Sequence, residues 1–223
     1  MTQKSLSFQD LNISFDAVCH QMGYADAHPS SKVSAMTKDM MRHISEAISP
    51  RFAFITTYAA LQENTIIAGD VHLHVGKIIA RQLEGSEAFA IFVATAGAEM
   101  QQFLRRLAKE GDMVGSFIAD AIGSVVAERC ADLMEETLQQ AISKLGWRHT
   151  NRFSPGYCQW DVSEQFMLFR LLGDAPCGVT LNAQSMMTPE KSVSGIIGLG
   201  SKVQHLDYSC GHCDLSHCQF RKR

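Results

Sequence analysis

The chain has 223 residues, 46% hydrophobic and 19% charged, which is the composition of a globular rather than a disordered protein. A formal charge of −3, with nine histidines counted as neutral, gives no electrostatic basis for binding a nucleic-acid backbone or an anionic membrane. Residues 1–10 lack the apolar core of a signal peptide and no run reaches the ~18 apolar residues of a membrane span, so the cytoplasm is the expected location.

A first helix is expected over residues 31–48, where Val33, Met36, Met40, Ile44 and Ile48 recur at helical spacing before Pro50. Phe52, Phe54, Ile55 and Tyr58 predict a strand, and Val71-His-Leu-His-Val75 alternates as a half-buried strand does. A short helix over 76–83 stops at Gly85-Ser86, and the apolar run 88–94 has the length of a buried strand. Helices follow over 99–109 and 115–145, parted by Gly111-Asp112, with Gly146 placed as a C-terminal stop. A loop over 151–157, a helix over 164–172 and apolar strands near Val179 and Ile196 complete the pattern. No repeat or linker intervenes before about Asp207, so one α+β domain over 1–206 with a cysteine-bearing tail over 207–223 is the simplest partition.

Seven cysteines is an odd number, and Cys19, Cys130, Cys158 and Cys177 are widely scattered. Reduced thiols plus a local metal site fit this better than a disulfide framework. The tail holds Cys210, Cys213 and Cys218 within nine residues, interleaved with His212 and His217. That thiolate density suits zinc or an iron–sulfur cluster, and the spacing is not that of radical enzymes using S-adenosylmethionine. The eleven methionines read as core filler, and no nucleophile elbow, phosphate loop or dinucleotide fingerprint is present.

Two stretches stand out for ligand binding. On the long helix Asp120, Ser124, Glu128 and Asp132 stack at i, i+4 spacing, either as a solvated acidic face or as a row of acceptors along a cleft. Gly123 within that helix hints at a close approach to its backbone. In Arg152-Phe-Ser-Pro-Gly-Tyr157, Pro155 and Gly156 favour a tight turn that can admit a ligand against the backbone. Arg152 offers a fixed cationic fork suited to a carboxylate, and Tyr157 a ring and a hydroxyl. An ordinary loop with a surface arginine has the same spacing.

The pattern Arg-x-x-Pro-Gly-Tyr resembles the signature of the activation domain of cobalamin-dependent methionine synthase. The segment Asp120-Ala-Ile-Gly-Ser-Val-Val-Ala-Glu128 upstream is similar as well, as is Ser185-Met-Met-Thr-Pro-Glu-Lys-Ser-Val-Ser-Gly195 downstream, in the same order. The likeness covers about residues 84–200. It implies a twisted antiparallel sheet flanked by helices and a surface site for S-adenosylmethionine. In that site Arg152 would hold the methionine carboxylate, and Pro155, Gly156 and Tyr157 would line the adenosyl moiety. Glu128 would be a polar contact on the facing helix, with Asp120 and Ser194 in the other matching segments. No residue matches the family's acidic residue near the domain start, and Ile196-Ile-Gly-Leu-Gly200 replaces its aromatic-rich strand.

Asp70-Val-His-Leu-His-Val-Gly76 departs from a cobalamin-binding loop, because its glycine comes one residue late and it alternates as a strand. Cobalamin is therefore expected on a partner, a methionine synthase or other corrinoid protein, with a flavodoxin or ferredoxin as electron donor. The expected role is reductive remethylation of that cobalamin, a methyltransferase-type activity with no catalytic acid, base or nucleophile from this chain. The alternative is a metal-binding redox or assembly module that works through the cysteine tail.

Overall fold

The computed structural model describes residues 1–24 and 27–206. Strand β1 (Thr2–Ser5) precedes helices α1 (Phe15–Gln21) and α2 (Ser31–Ala47). Strand β2 (Arg51–Thr57) runs into a meander of β3 (Ala60–Gln62), β4 (Thr65–Ala68) and β5 (Val71–His74), followed by helix α3 (Gly76–Gln82). Then come β6 (Ala88–Thr95), α4 (Ala98–Glu110), the long helix α5 (Met113–Ser143) and β7 (Arg148–His149). Helix α6 (Gln165–Leu172), the short pair β8 (Thr180–Leu181) and β9 (Met187–Thr188), and β10 (Ser192–Gly200) follow.

The main sheet is antiparallel throughout, in the order β1-β2-β6-β10-β7. All eight residues of the central strand β6 are buried, which is why its sequence is apolar without alternation. Alternate side chains nonetheless enter two different cores. Ala88, Ala90, Phe92 and Ala94 face α1, α2, α4 and α5 together with Phe52, Phe54, Ile197 and Leu199. Phe89, Ile91 and Val93 face the meander, α3 and α6 together with Leu73, Ile79, Leu168 and Ile196. The sheet is thus the middle of three layers, the arrangement that buries both of its apolar faces.

Local chemistry sets the helix boundaries. Helix α2 begins where Ser30 accepts a hydrogen bond from the Val33 N–H, and α1 likewise at Ser14, which accepts from Ala17. Helix α5 starts two residues before the expected 115 because Asp112 accepts from the Gly115 N–H at 2.8 Å, and it ends at Ser143. The segment at 71–75 is the half-buried strand its alternation indicates, with Val71 and Leu73 buried and His72 and His74 exposed. The strand expected near Val179 is only Thr180–Leu181, with Val179 itself in the core. Among the described residues no helix is long and apolar enough to cross a membrane. The cysteine-bearing segment 207–223, with Cys210, Cys213 and Cys218, lies outside the described residues.

Candidate ligand-binding groove

The outer edge of β10 is where the sheet opens. Strand β7 pairs only with Leu199 and Gly200. Further back a single bridge forms, in which the Phe153 N–H donates to the Ile196 carbonyl at 3.0 Å and the Ile196 N–H to the Phe153 carbonyl at 2.8 Å. In an antiparallel ladder backbone groups alternate in direction, so Ser194, two residues before Ile196, turns its N–H and C=O to that same open side. Among the described residues no backbone group meets them there. Gly195 makes the bridge possible, because a Cβ at that position would collide with the Phe153 carbonyl oxygen.

The bridge docks the Arg152–Tyr157 loop against β10, and a groove forms between loop, strand and α5. A first hollow, about 390 Å³, is lined by Glu128, Pro155, Tyr157, Gln165, Glu190 and Ser194, among others. A second hollow of about 500 Å³ shares Glu128, Tyr157 and Glu190 and continues to Ser124 and Lys191. Together they have the size usual for small-molecule sites. Gly156 takes φ +92°, a conformation favouring glycine, and its N–H donates to the Trp160 carbonyl at 2.7 Å. A Cβ there would meet only a Val162 methyl at 4.0 Å, so the turn leaves open space. Tyr157 is 65% exposed beside it, a large ring presented to solvent.

The floor is polar and hydrogen-bonded. The buried Ser194 hydroxyl donates to Gln165 Oε1 at 3.0 Å, and Gln165 Nε2 donates to the Ser185 carbonyl at 3.0 Å. At the far end Lys191 Nζ lies 2.7 Å from Asp120 Oδ1 and donates to Ser124 Oγ at 3.0 Å. The close approach at Gly123 is this lysine's stem, together with Met100, rather than a ligand.

The expected residues are therefore gathered unevenly. Glu128, Pro155, Tyr157 and Ser194 share the first hollow, Gly156 forms its turn, and Asp120 stands at the far end paired to Lys191. Arg152 stands behind Glu128. Its guanidinium meets Asp132 at 2.8 Å, Glu135 at 3.0 Å and Glu128 at 3.5 Å, all from α5. Among the described residues Nη1 nonetheless finds no well-aligned hydrogen-bond partner. Desolvation beside the groove raises the Glu128 carboxyl above its ordinary range, and Arg152 opposes this while Asp132 adds to it. Gln165, Glu190 and Lys191 were not singled out from the sequence. Lys191 lies within the Ser185–Gly195 stretch, whose charge could have marked it, whereas Gln165 gave no signal before its helix was placed.

Residues 35–223 match the family model described as vitamin B12 dependent methionine synthase, activation domain. The chain belongs to that family. Among solved structures it is similar to the MetH reactivation domain bound to AdoHcy, with a TM-score of 0.71 and 15% identity, covering 92% of this chain and 80% of that one. No curated protein sequence matches the chain. The resemblance read from three short segments thus extends, as family membership, over most of the chain, and the α+β fold with its antiparallel sheet is that of the activation domain.

Proposed function

We propose that the groove binds S-adenosylmethionine and that the chain supports reductive remethylation of cobalamin carried by a methionine synthase or related corrinoid partner. The observation carrying this reading is the groove itself, where the family's Arg-x-x-Pro-Gly-Tyr turn meets the open edge of β10. The AdoHcy-bound domain of the same fold supports it. Tyr157 and the Pro155-Gly156 turn would hold the adenosyl group. The outward N–H of Ser194 would donate a hydrogen bond to it and the outward C=O would accept one from it, and Glu128 and Asp120 would favour a cationic sulfonium ligand. Arg152 would receive the methionine carboxylate by exchanging its loosest partner, the exposed Glu128, for it. The residues bind and orient, and none acts as acid, base or nucleophile. When bound to the partner, cobalamin would supply a cobalt reduced by one electron from a flavodoxin or ferredoxin as methyl acceptor, with S-adenosylhomocysteine as the leaving product. Cys210, Cys213 and Cys218 would hold zinc or an iron–sulfur cluster, and a working role for that metal alone is the competing function.

Isothermal titration with S-adenosylmethionine tests the proposal. Binding with one equivalent is expected, together with a loss of about 1–2 kcal/mol in Tyr157→Ala and little change in its melting temperature, since the ring is exposed. Absence of binding in the folded wild type would remove the groove reading and leave the metal-bearing tail as the functional element.

A further inference from the structure

On the opposite flank of Arg152 from the groove, three potential metal ligands converge from three parts of the chain. Glu135 comes from α5, His149 from β7 and His205 from the segment after β10, and one ligand atom from each lies within 4.8 Å of the others. Glu135 and His149 are 15% and 13% exposed, so this is a recessed cluster, while His205 closes it at the surface with 53% exposure. His205 Nδ1 stands 3.4 Å from Glu135 Oε1. Two ligands at zinc-type bond lengths of about 2.0–2.1 Å around a tetrahedral ion are about 3.3–3.4 Å apart.

The placement of these residues is built into the fold. The Asn151 side chain clamps the backbone beside His205, donating to the Leu206 carbonyl at 2.8 Å and accepting from the Leu206 N–H at 2.9 Å. Val203 anchors the same segment in the core. The Thr150 carbonyl lies 2.8 Å from His149 Nδ1. The same nitrogen lies 3.4 Å from Glu135 Oε1, so a cation taken there displaces the carbonyl contact and leaves Nε2 to carry the imidazole proton. Charge points the same way. Glu128, Asp132 and Glu135 face Arg152 and Arg129, which leaves one carboxylate charge in excess before any cation binds. Among the described residues Glu135 makes only the poorly aligned contact with Arg152 Nη1 besides the two imidazoles.

The geometry points to a divalent transition-metal site formed by Glu135, His149 and His205, with zinc the best match to two imidazoles and one carboxylate. Three protein ligands leave a coordination position for water. The ion ties the segment entering the tail to α5 and β7. It also draws on the carboxylate that Arg152 shares, so it sits one residue behind the proposed carboxylate subsite. The site uses no tail cysteine and no groove-lining residue.

The test uses the full chain carrying Cys210→Ser, Cys213→Ser and Cys218→Ser, so that tail thiolates contribute nothing. After chelator treatment it is titrated with Zn²⁺, and with Co²⁺ as a spectroscopic probe. One equivalent should bind, Co²⁺ should show visible bands of nitrogen and oxygen ligation, and Zn²⁺ should raise the melting temperature. His205→Ala, half-exposed and therefore safe for folding, should weaken binding at least tenfold, as should Glu135→Gln. Less than about a tenth of an equivalent at saturation would overturn the site. So would affinity unchanged in both His149→Ala and His205→Ala. Titration of the same variants with S-adenosylmethionine reads the groove separately, so either proposal can fail without the other.

Discussion

Gly195→Ala tests whether the groove depends on docking of the Arg152–Tyr157 loop against β10. Gly195 does not sit at positive φ, so alanine is conformationally acceptable there, and any cost is steric. The added methyl would collide with the Phe153 carbonyl oxygen and stand 3.0 Å from both its carbon and Phe92 Cε1. Neither neighbour is the free end of a flexible side chain, since one is backbone and the other is a fully buried ring. The Phe153–Ile196 bridge, with hydrogen bonds of 2.8 and 3.0 Å, must therefore give way. Two lost hydrogen bonds cost about 1 kcal/mol each, and crowding a packed site adds about 1–3 kcal/mol. Replacing a strand glycine returns roughly 0.5–1 kcal/mol. A net loss of roughly 2–4 kcal/mol is expected in urea denaturation followed by circular dichroism. Affinity for S-adenosylmethionine should fall at least tenfold, because Pro155, Gly156 and Tyr157 would no longer be held against the strand. Stability within about 0.5 kcal/mol of wild type, with affinity intact, would refute the reasoning.

Arg152→Ala should lower stability by about 1–3 kcal/mol, because it leaves Asp132 and Glu135 facing each other without their shared cation, and chemical denaturation measures this. It should also weaken S-adenosylmethionine binding by about 1.5–3 kcal/mol by titration, whereas equal affinity would remove Arg152 from the site. Glu128 is raised in the folded state, so the stability it contributes is present below its unfolded value and is lost as pH rises through the folded one. Glu128→Gln should therefore match or slightly exceed wild-type stability at neutral pH, and the difference should vanish in acid below the ordinary carboxylate range. Burial pushes the Cys130 thiol up to about 12 and the Cys177 thiol up to about 11. Neither should react with Ellman's reagent at pH 8 in the native protein, and both should react in urea.

Much of the architecture could be read from periodicity, because the elements that build the cores carry their burial in their side chains. The stripe Val33, Met36, Met40 and Ile44 predicts α2, and the run at 88–94 predicts β6. Strand β1 escaped because all four of its residues are exposed and it is held to β2 by backbone pairing, which leaves no hydrophobic pattern. The β3–β4 hairpin escaped for a related reason, since only three residues pair on each side. At the groove, the turn at Pro155-Gly156 and the acidic stripe of α5 were legible as local chemistry. What could not be read was the engagement of Arg152 by three carboxylates, or the recessed cluster of Glu135, His149 and His205. Those meetings depend on α5, β7 and the segment after β10 lying side by side, a fact of tertiary packing that no local spacing encodes.

The main sheet ends on one side in a strand of four exposed residues and on the other in one of only two. Long, flat, apolar margins invite other chains to add a strand and grow into aggregates, and these margins are short. Recruitment by strand addition therefore has little backbone to work with here. The corrinoid partner proposed above would meet side chains around the groove instead. Such a contact can be broken without unzipping a ladder of hydrogen bonds, which suits an encounter repeated only when a cofactor has fallen out of use.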